Sequence, residues 1–414
     1  MNLKKYSMGI GDRFGHQGRA QLEALLKAKQ YGVGITPVWN KSYREHRLIG
    51  TQPSDTRREA DESVTAKNWQ DDYFVDADHI SMKTVDLFIQ ACDFFTIDVA
   101  DFIGRSADED GISEFVKRHL RYTGGLRLPV TNTLLNITES GIQKIARKYL
   151  FAVEEAGRIY RHILKSKQAF IVEISFDETD DPQTPVELFF ILAAVAQERI
   201  PAHTIAPKFP GRFNKGIDYD EDVDHFELVF LEFLAIIDFS VNEFALPQNL
   251  KLSIHSGSDK FSIYDPIRRA LRKCGAGLHL KTAGTTWLEE LIGLAEAGVD
   301  GLSIVKEIYR KAFSRYDELC LPYAKVIDIH TSQLPSPTEV DLWDPRKFTS
   351  TLRHNPTDKN YNPHFRQLLH IGYPIAAEMG SRYLSALQEY EDSIAKNVTE
   401  NLYDRHIKKL FLNE

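Results

Sequence analysis

Eight short β-rich runs alternate with longer amphipathic runs along this chain, and that rhythm constrains the fold more than any single motif. The runs are Lys5–Ile10, Gly32–Val38, Asp72–Asp76, Phe94–Val99, Ala169–Phe176, His203–Pro207, Leu250–His255 and Gly277–Lys281. Strands separated by helices are joined by crossovers, so they lie parallel. The segments between them carry the helical stripe. Gln17–Tyr31 sets Leu22, Leu25 and Leu26 against charges, and Ile142–Leu164 repeats Ile145, Tyr149, Ala152 and Ala156. Phe226–Phe244 is apolar along one side, and Trp287–Ala297 stops at Gly298, a residue suited to positive φ beyond a helix end. Eight βα units predict an α/β fold, a (β/α)8 TIM barrel. The alternative is a doubly wound open sheet. Its first turn would be GIGDRFG, where the third glycine of a dinucleotide-binding turn is displaced.

The barrel is expected to occupy residues 1–330 as the catalytic domain. Ser42–Gln70 is highly charged and contains Pro53, so residues 42–70 read as an inserted loop or lid after the second strand. Residues 331–414 open on a proline-rich linker and close on a helical pattern, Pro374–Leu412, which predicts a C-terminal helical extension packed on the barrel. The polar, proline-punctuated stretch His354–Arg366 reads either as a lid or as a plain surface connection.

Charge and cysteine usage narrow the partners. The 59 acidic and 51 basic residues leave a net charge of −8, with no basic excess to draw nucleic acid. The longest apolar run, Leu188–Ala196, is far short of the ~20 residues that span a bilayer. Cys92, Cys274 and Cys320 match no disulfide framework or zinc motif, which fits a reducing, cytoplasmic setting. The start, MNLKKYSMGIGDRFG, has no apolar run of a signal peptide. The expected partner is a small anionic substrate rather than nucleic acid or membrane, with a second copy of the chain as a further candidate.

Barrel enzymes work at the C-terminal ends of their strands. Those ends carry Asp12-Arg13, Asn40, Asp78-His79, Asp98, Glu173 with Asp177, Lys208, His255 and His279 with Lys281. A charge inside an apolar strand is costly unless paired or used. His79, His255 and His279 with a nearby carboxylate form a candidate divalent-metal set, and the metal would be Zn, Mn, Ni or Co. His279 sits two residues before Lys281, so it is placed a layer deeper, and Glu173 is the alternative third ligand. Asp78 and Glu173 are the candidate proton-transfer pair. Their structural alternatives are a helix cap for Asp78 and an ion pair with a barrel lysine for Glu173. Asp12, Arg13, Lys208, Arg212, Lys260 and Lys281 would bind an anionic substrate. Lys208 also admits a Schiff-base chemistry, that of a class I aldolase.

The segments GIGDRFGHQGRAQL, FVDADHI, ISFDETDDPQTPVELFFILAA, TIAPKFPGRFNKGIDY, LSIHSGSDKFSIY, HLKTAGTTWLEE and NPHFRQLLHIGYPIAAEMG resemble the tagaturonate epimerase family, from Gly9 to about Gly380. The resemblance implies a metal-dependent epimerase that interconverts tagaturonate and fructuronate in hexuronate breakdown, with the metal on His79, His255 and His279. These ketouronates differ at the carbon β to the ketone, which simple enolisation does not reach. A retro-aldol cleavage and re-addition does, with Asp78 as base and Glu173 returning the proton.

Overall fold

The computed structural model describes residues 1 and 3–412. Its strands are β1 (Tyr6–Ile10), β2 (Ile35–Ser42), β3 (Phe74–Ile80), β4 (Phe94–Asp98), β5 (Gly124–Arg127), β6 (Leu134–Ile137), β7 (Ile171–Ser175), β8 (Thr204–Ala206), β9 (Lys251–His255) and β10 (Leu278–Lys281). Eight of them close into a barrel in the order β1-β10-β9-β8-β7-β4-β3-β2, every neighbour parallel. The open-sheet alternative is thereby excluded. β5 and β6 form an antiparallel hairpin outside the barrel, which the strand census missed.

The first ten helices are α1 (Gly18–Gln30), α2 (Tyr43–Ile49), α3 (Pro53–Ala66), α4 (Glu109–His119), α5 (Glu139–Ser166), α6 (Pro185–Gln197), α7 (Val223–Glu243), α8 (Tyr264–Cys274), α9 (Ala283–Glu296) and α10 (Val299–Ser314). Two expectations change. The charged segment after β2 is helical rather than irregular: Ser42 and Glu45 form a capping box at α2, and Pro53 is the first residue of α3. The β3–β4 crossover, by contrast, has only a single 3-10 turn, Val85–Leu87. Among the described residues no helix is long and apolar enough to cross a membrane.

Alternation along the strands divides the barrel wall. Met8, Trp39, Val75, Phe95, Val172, Leu252 and Leu280 belong to the large core shared with the helices. Val38, Phe74, Phe94 and Ile171 join Leu3 in a separate cluster that floors the interior. Above that floor Asp76, Thr96, Glu173, Thr204, His279 and Lys281 are buried and polar. A barrel filled by branched apolar layers would be the cheaper structure, so this polar filling marks a functional interior.

The chain after α10 folds as short helices with proline at the start: Pro337–Asp341, Pro345–Leu352 and Pro363–Ile371 are capped by Ser336, Asp344 and Asn362. Pro374–Leu412, expected as one long pattern, is broken into several helices and a π turn. A second core joins Trp287, Leu291, Val305 and Ile308 of α9 and α10 to Phe348, Phe365, Leu369 and Tyr373.

The stretch His354–Arg366 crosses the surface between Asn355 and Lys359, but its two ends are buried. Asp259, just beyond β9, accepts from Arg366 Nη2 at 2.8 Å and Thr285 Oγ1 at 3.0 Å. It also meets His354 Nδ1 at 3.2 Å and His406 Nε2 at 2.9 Å. Asp259, Arg366 and His406 have no exposed side chain. Despite burial, Arg366, His354 and His406 hold the Asp259 carboxyl well below the usual range. Asp259→Asn leaves the Arg366 charge unmatched and is expected to cost about 3–5 kcal/mol, read as a shift of the urea midpoint. Because the folded-state pKa is depressed, the wild-type contribution is complete above about pH 4 and fades as pH falls further. The variant should therefore show a flatter acid limb.

Candidate active site

Lys281 enters the barrel from β10 and is surrounded by acids. Its Nζ donates to Asp76 Oδ2 at 2.9 Å, Asp78 Oδ1 at 2.8 Å and Thr96 Oγ1 at 2.6 Å, and lies 2.9 Å from Glu173 Oε1. These carboxylates raise the Lys281 pKa well above its ordinary value in spite of burial. Asp76 is pushed up to about 7 by burial, with Asp78 and Glu173 adding to the effect against Lys281. Burial works the same way on Asp78, yet Lys281, His79 and His255 bring it down to about 2. The centre thus holds ionised Asp78 beside a permanent ammonium.

His255 ends β9 directly above this layer. Its Nε2 is 2.7 Å from Glu173 Oε1 and its Nδ1 is 2.9 Å from Asp177 Oδ2. Against burial, Asp177 and Glu173 raise the imidazole to about 9. His79 arrives by a different device. The β3–β4 register shifts between Ala77 and Ile80, and His79 has φ of 50°. A bulge with a left-handed residue costs on the order of 1–3 kcal/mol and re-aims a side chain that strict alternation would turn away. His79 Nδ1 then lies 3.1 Å from Asp98 Oδ2, its Nε2 lies 3.8 Å from Asp78 Oδ1, and its ring centre is 5.2 Å from that of His255.

His79, Asp177 and His255 each offer a ligand atom within 4.8 Å of the others, and a second such group, His79, Asp98 and Glu178, shares His79. Two imidazoles and a carboxylate suit a divalent cation. The set expected from sequence is corrected at one position. His279 pairs in register with Ser253, not with His255. It is fully buried beside Phe94, 2.9 Å from Ser7 Oγ, and burial drives its pKa down to about 3. Asp177, one of the acids at the strand ends, stands where His279 was expected.

The other expected residues divide sharply. Glu173 is an ion-pair partner of the barrel lysine. It is fully buried, with Thr204 Oγ1 at 2.7 Å and Thr96 Oγ1 at 3.3 Å besides His255 and Lys281, which leaves no room to meet a substrate. Asp78 caps no helix; Ser81 N is taken by Thr84. The Asp12 carboxylate is turned to its own loop, where it accepts the backbone N–H groups of Phe14, Gly15, His16 and Gln17. Lys260 is buried on the carbonyls of Asn214 and Ile217, and the half-buried Lys208 donates to that of Thr179. Arg212 reaches the carbonyls of Lys325 and Ile327. Only Arg13 of the expected basic rim stays at the mouth, paired with Glu45 and stacked on Tyr373. With Lys281 locked as an ammonium and Lys208 spent on a carbonyl, neither lysine suits an imine.

A closed parallel barrel with acids, histidines and a lysine gathered at its strand ends is the frame of a barrel enzyme. The sequence model of the tagaturonate epimerase family matches residues 1–410, and the chain belongs to that family, whose members are isomerases. It is 26% identical over 420 residues to the tagaturonate/fructuronate epimerase of Thermotoga maritima, covering 98% of this chain and 80% of that protein. Two glycerol-complexed crystal structures of the fructuronate-tagaturonate epimerase of Cohnella laeviribosi share its fold. They show TM-scores of 0.78 and 0.79 at 23% and 22% identity, over 99% and 100% of this chain and 82% and 83% of theirs.

Lys281→Met leaves Asp76, Asp78 and Glu173 facing one another without the ammonium. It is expected to lower stability by about 3–5 kcal/mol at neutral pH. The orphaned carboxyls then have raised folded-state pKa values, so the deficit should shrink as pH falls toward about 4. Chemical denaturation at several pH values reads both effects.

Proposed function

We propose that the chain interconverts tagaturonate and fructuronate with the help of a divalent cation held by His79, Asp177 and His255, in a reducing cytoplasm. The observation that carries this is the pairing of each histidine with its own carboxylate. Glu173 holds Nε2 of His255, whose Nδ1 faces the candidate ligand Asp177 at 2.9 Å, and Asp98 holds Nδ1 of His79, whose Nε2 has only Asp78 Oδ1 at 3.8 Å. This is the arrangement by which outer carboxylates orient metal-ligating imidazoles. When bound there, a divalent cation supplies Lewis-acid polarisation of the substrate ketone.

The chain's own residues move the proton. Asp78, ionised beside Lys281, takes the proton of the hydroxyl on the carbon β to the ketone. That carbon becomes an aldehyde as its bond to the α-carbon breaks, and the electron pair passes into the enediolate of the other fragment. The aldehyde turns its opposite face, the α-carbon attacks it, and the bond re-forms with inverted configuration. The new alkoxide then needs a proton. Glu173 is sealed beneath His255 and only fixes that ring. Glu178 is the exposed carboxyl at the mouth, on the Asp98 side of His79; in its protonated form it would return the proton, and exchange with solvent would then clear Asp78 and reload Glu178.

Stripping divalent ions with a chelator should abolish tagaturonate turnover, and adding back Mn, Co, Ni or Zn should restore it. Full turnover by metal-free protein would overturn the reading. Elemental analysis should find about one ion per chain. Glu173→Gln should weaken metal affinity by about 10–100-fold, whereas His279→Asn should leave metal content unchanged.

A further inference from the structure

Where the first two barrel loops meet the C-terminal extension, three cations converge around two tyrosines. The Arg13 guanidinium lies 4.3 Å from the ring centre of Tyr373, and that of Arg44 lies 4.4 Å from the ring centre of Tyr323. The two phenol oxygens are 3.3 Å apart. Lys215 approaches from the loop after β8. Its Nζ packs against Gly257, where an added Cβ would come within 2.9 Å and where φ is +65°. Gly257 is two residues beyond His255, so the lysine lies alongside the loop that carries the histidine. Its charge is felt at Tyr323 and Arg13 on one side and at Asp177 and Glu178 on the other.

Only one of these three cations is in direct contact with a carboxylate. Among the described residues Arg13 is paired with Glu45, but neither Arg44 nor Lys215 has a carboxylate within 4.0 Å. The Nε of Arg13 is buried and has no hydrogen-bond partner. Buried donors without acceptors are rare and costly, and they mark a place where an acceptor binds. Although burial opposes it, Arg13, Arg44 and Lys215 also bring the Tyr323 hydroxyl below its ordinary pKa. An arginine fork, a lysine point charge and phenolic donors together match a carboxylate, which offers two oxygens in a plane.

We propose that Arg13, Arg44, Lys215, Tyr323 and Tyr373 form the carboxylate-binding end of the substrate site, which makes the C-terminal extension part of substrate recognition. The proposal rests on the ketouronate reading above. It assigns that substrate a direction: carboxylate under the extension, ketone and reacting carbons toward His79, Asp78 and His255. It predicts discrimination against a neutral ketose, which would leave these donors unmatched.

The test uses Lys215→Met and Tyr323→Phe in the full chain, both checked for an unchanged thermal midpoint. Binding of a six-carbon aldonate and of the matching hexitol is measured by calorimetry, alongside tagaturonate kinetics. Each variant should weaken aldonate binding by about 10–100-fold, as expected for a hydrogen bond to a charged group. KM for tagaturonate should rise in parallel with little change in kcat, and hexitol binding should not move. Unchanged aldonate binding, or equal weakening of aldonate and hexitol, would overturn the proposal. A wild-type chain that prefers aldonate over hexitol yet does not turn over tagaturonate would strike the reaction and leave this carboxylate site standing.

Discussion

The barrel interior depends on one ammonium. Lys281 sits where three carboxylates would otherwise repel each other, and each acid in turn anchors something else. Asp78 faces the reacting space, Glu173 fixes His255, and Asp76 braces Thr96 with two contacts at 3.0 Å. A buried ion pair of this kind adds little net stability compared with an apolar filling. Its value is the charge state it enforces. It keeps Asp78 and Glu173 ionised in a place where burial alone would protonate them, and a carboxylate in that state can accept a proton without first losing one.

Asp259 plays the matching role outside the barrel. It gathers Arg366, His354 and His406 from the extension onto the loop that follows β9, four residues after His255. Ser256 and Ser258 hold the same loop to the Lys281 carbonyl and the Gly216 amide. The loop HSGSDK is therefore braced rather than open. The first loop follows the same logic, because its amide nest is filled by the protein's own Asp12 carboxylate. Rigid loops on a rigid barrel hold reacting groups to the tolerance that catalysis needs.

The strands were readable because each is a short run bounded by turn residues, and all eight barrel strands appear where the runs predicted them, within a few residues. The ends were less readable. β3 runs on to Ile80 through a bulge that no residue type announces, and only that bulge brings His79 inward. His279 misled for a reason of register: residues two apart share a face but not a layer, and Lys281 rather than His279 pairs with His255. The charged segment after β2 has the charge and the proline of a loop, but Pro53 occupies a first helical position, where proline starts a helix. The basic residues were the hardest. Sequence shows a lysine at a strand end but not whether a backbone carbonyl will claim it, as happens to Lys208 and Lys260.

The same limit explains why the cations with the best claim to a substrate were overlooked. Arg44 lay in the segment assigned to a lid, Lys215 in a loop full of other charges, and their tyrosines in or beside an extension assigned to packing. Nothing local joins these four stretches; the barrel's closure and the Asp259 clamp do. A site whose acids come from the strands and whose cations come from loops and extension separates two tasks. The strands fix the proton chemistry, which tolerates little movement. In the proposed site the outer layer reads the far end of the substrate, where charge matching matters more than sub-ångström placement. Such a division lets selectivity for an acidic sugar change through the outer layer without disturbing the Lys281 centre.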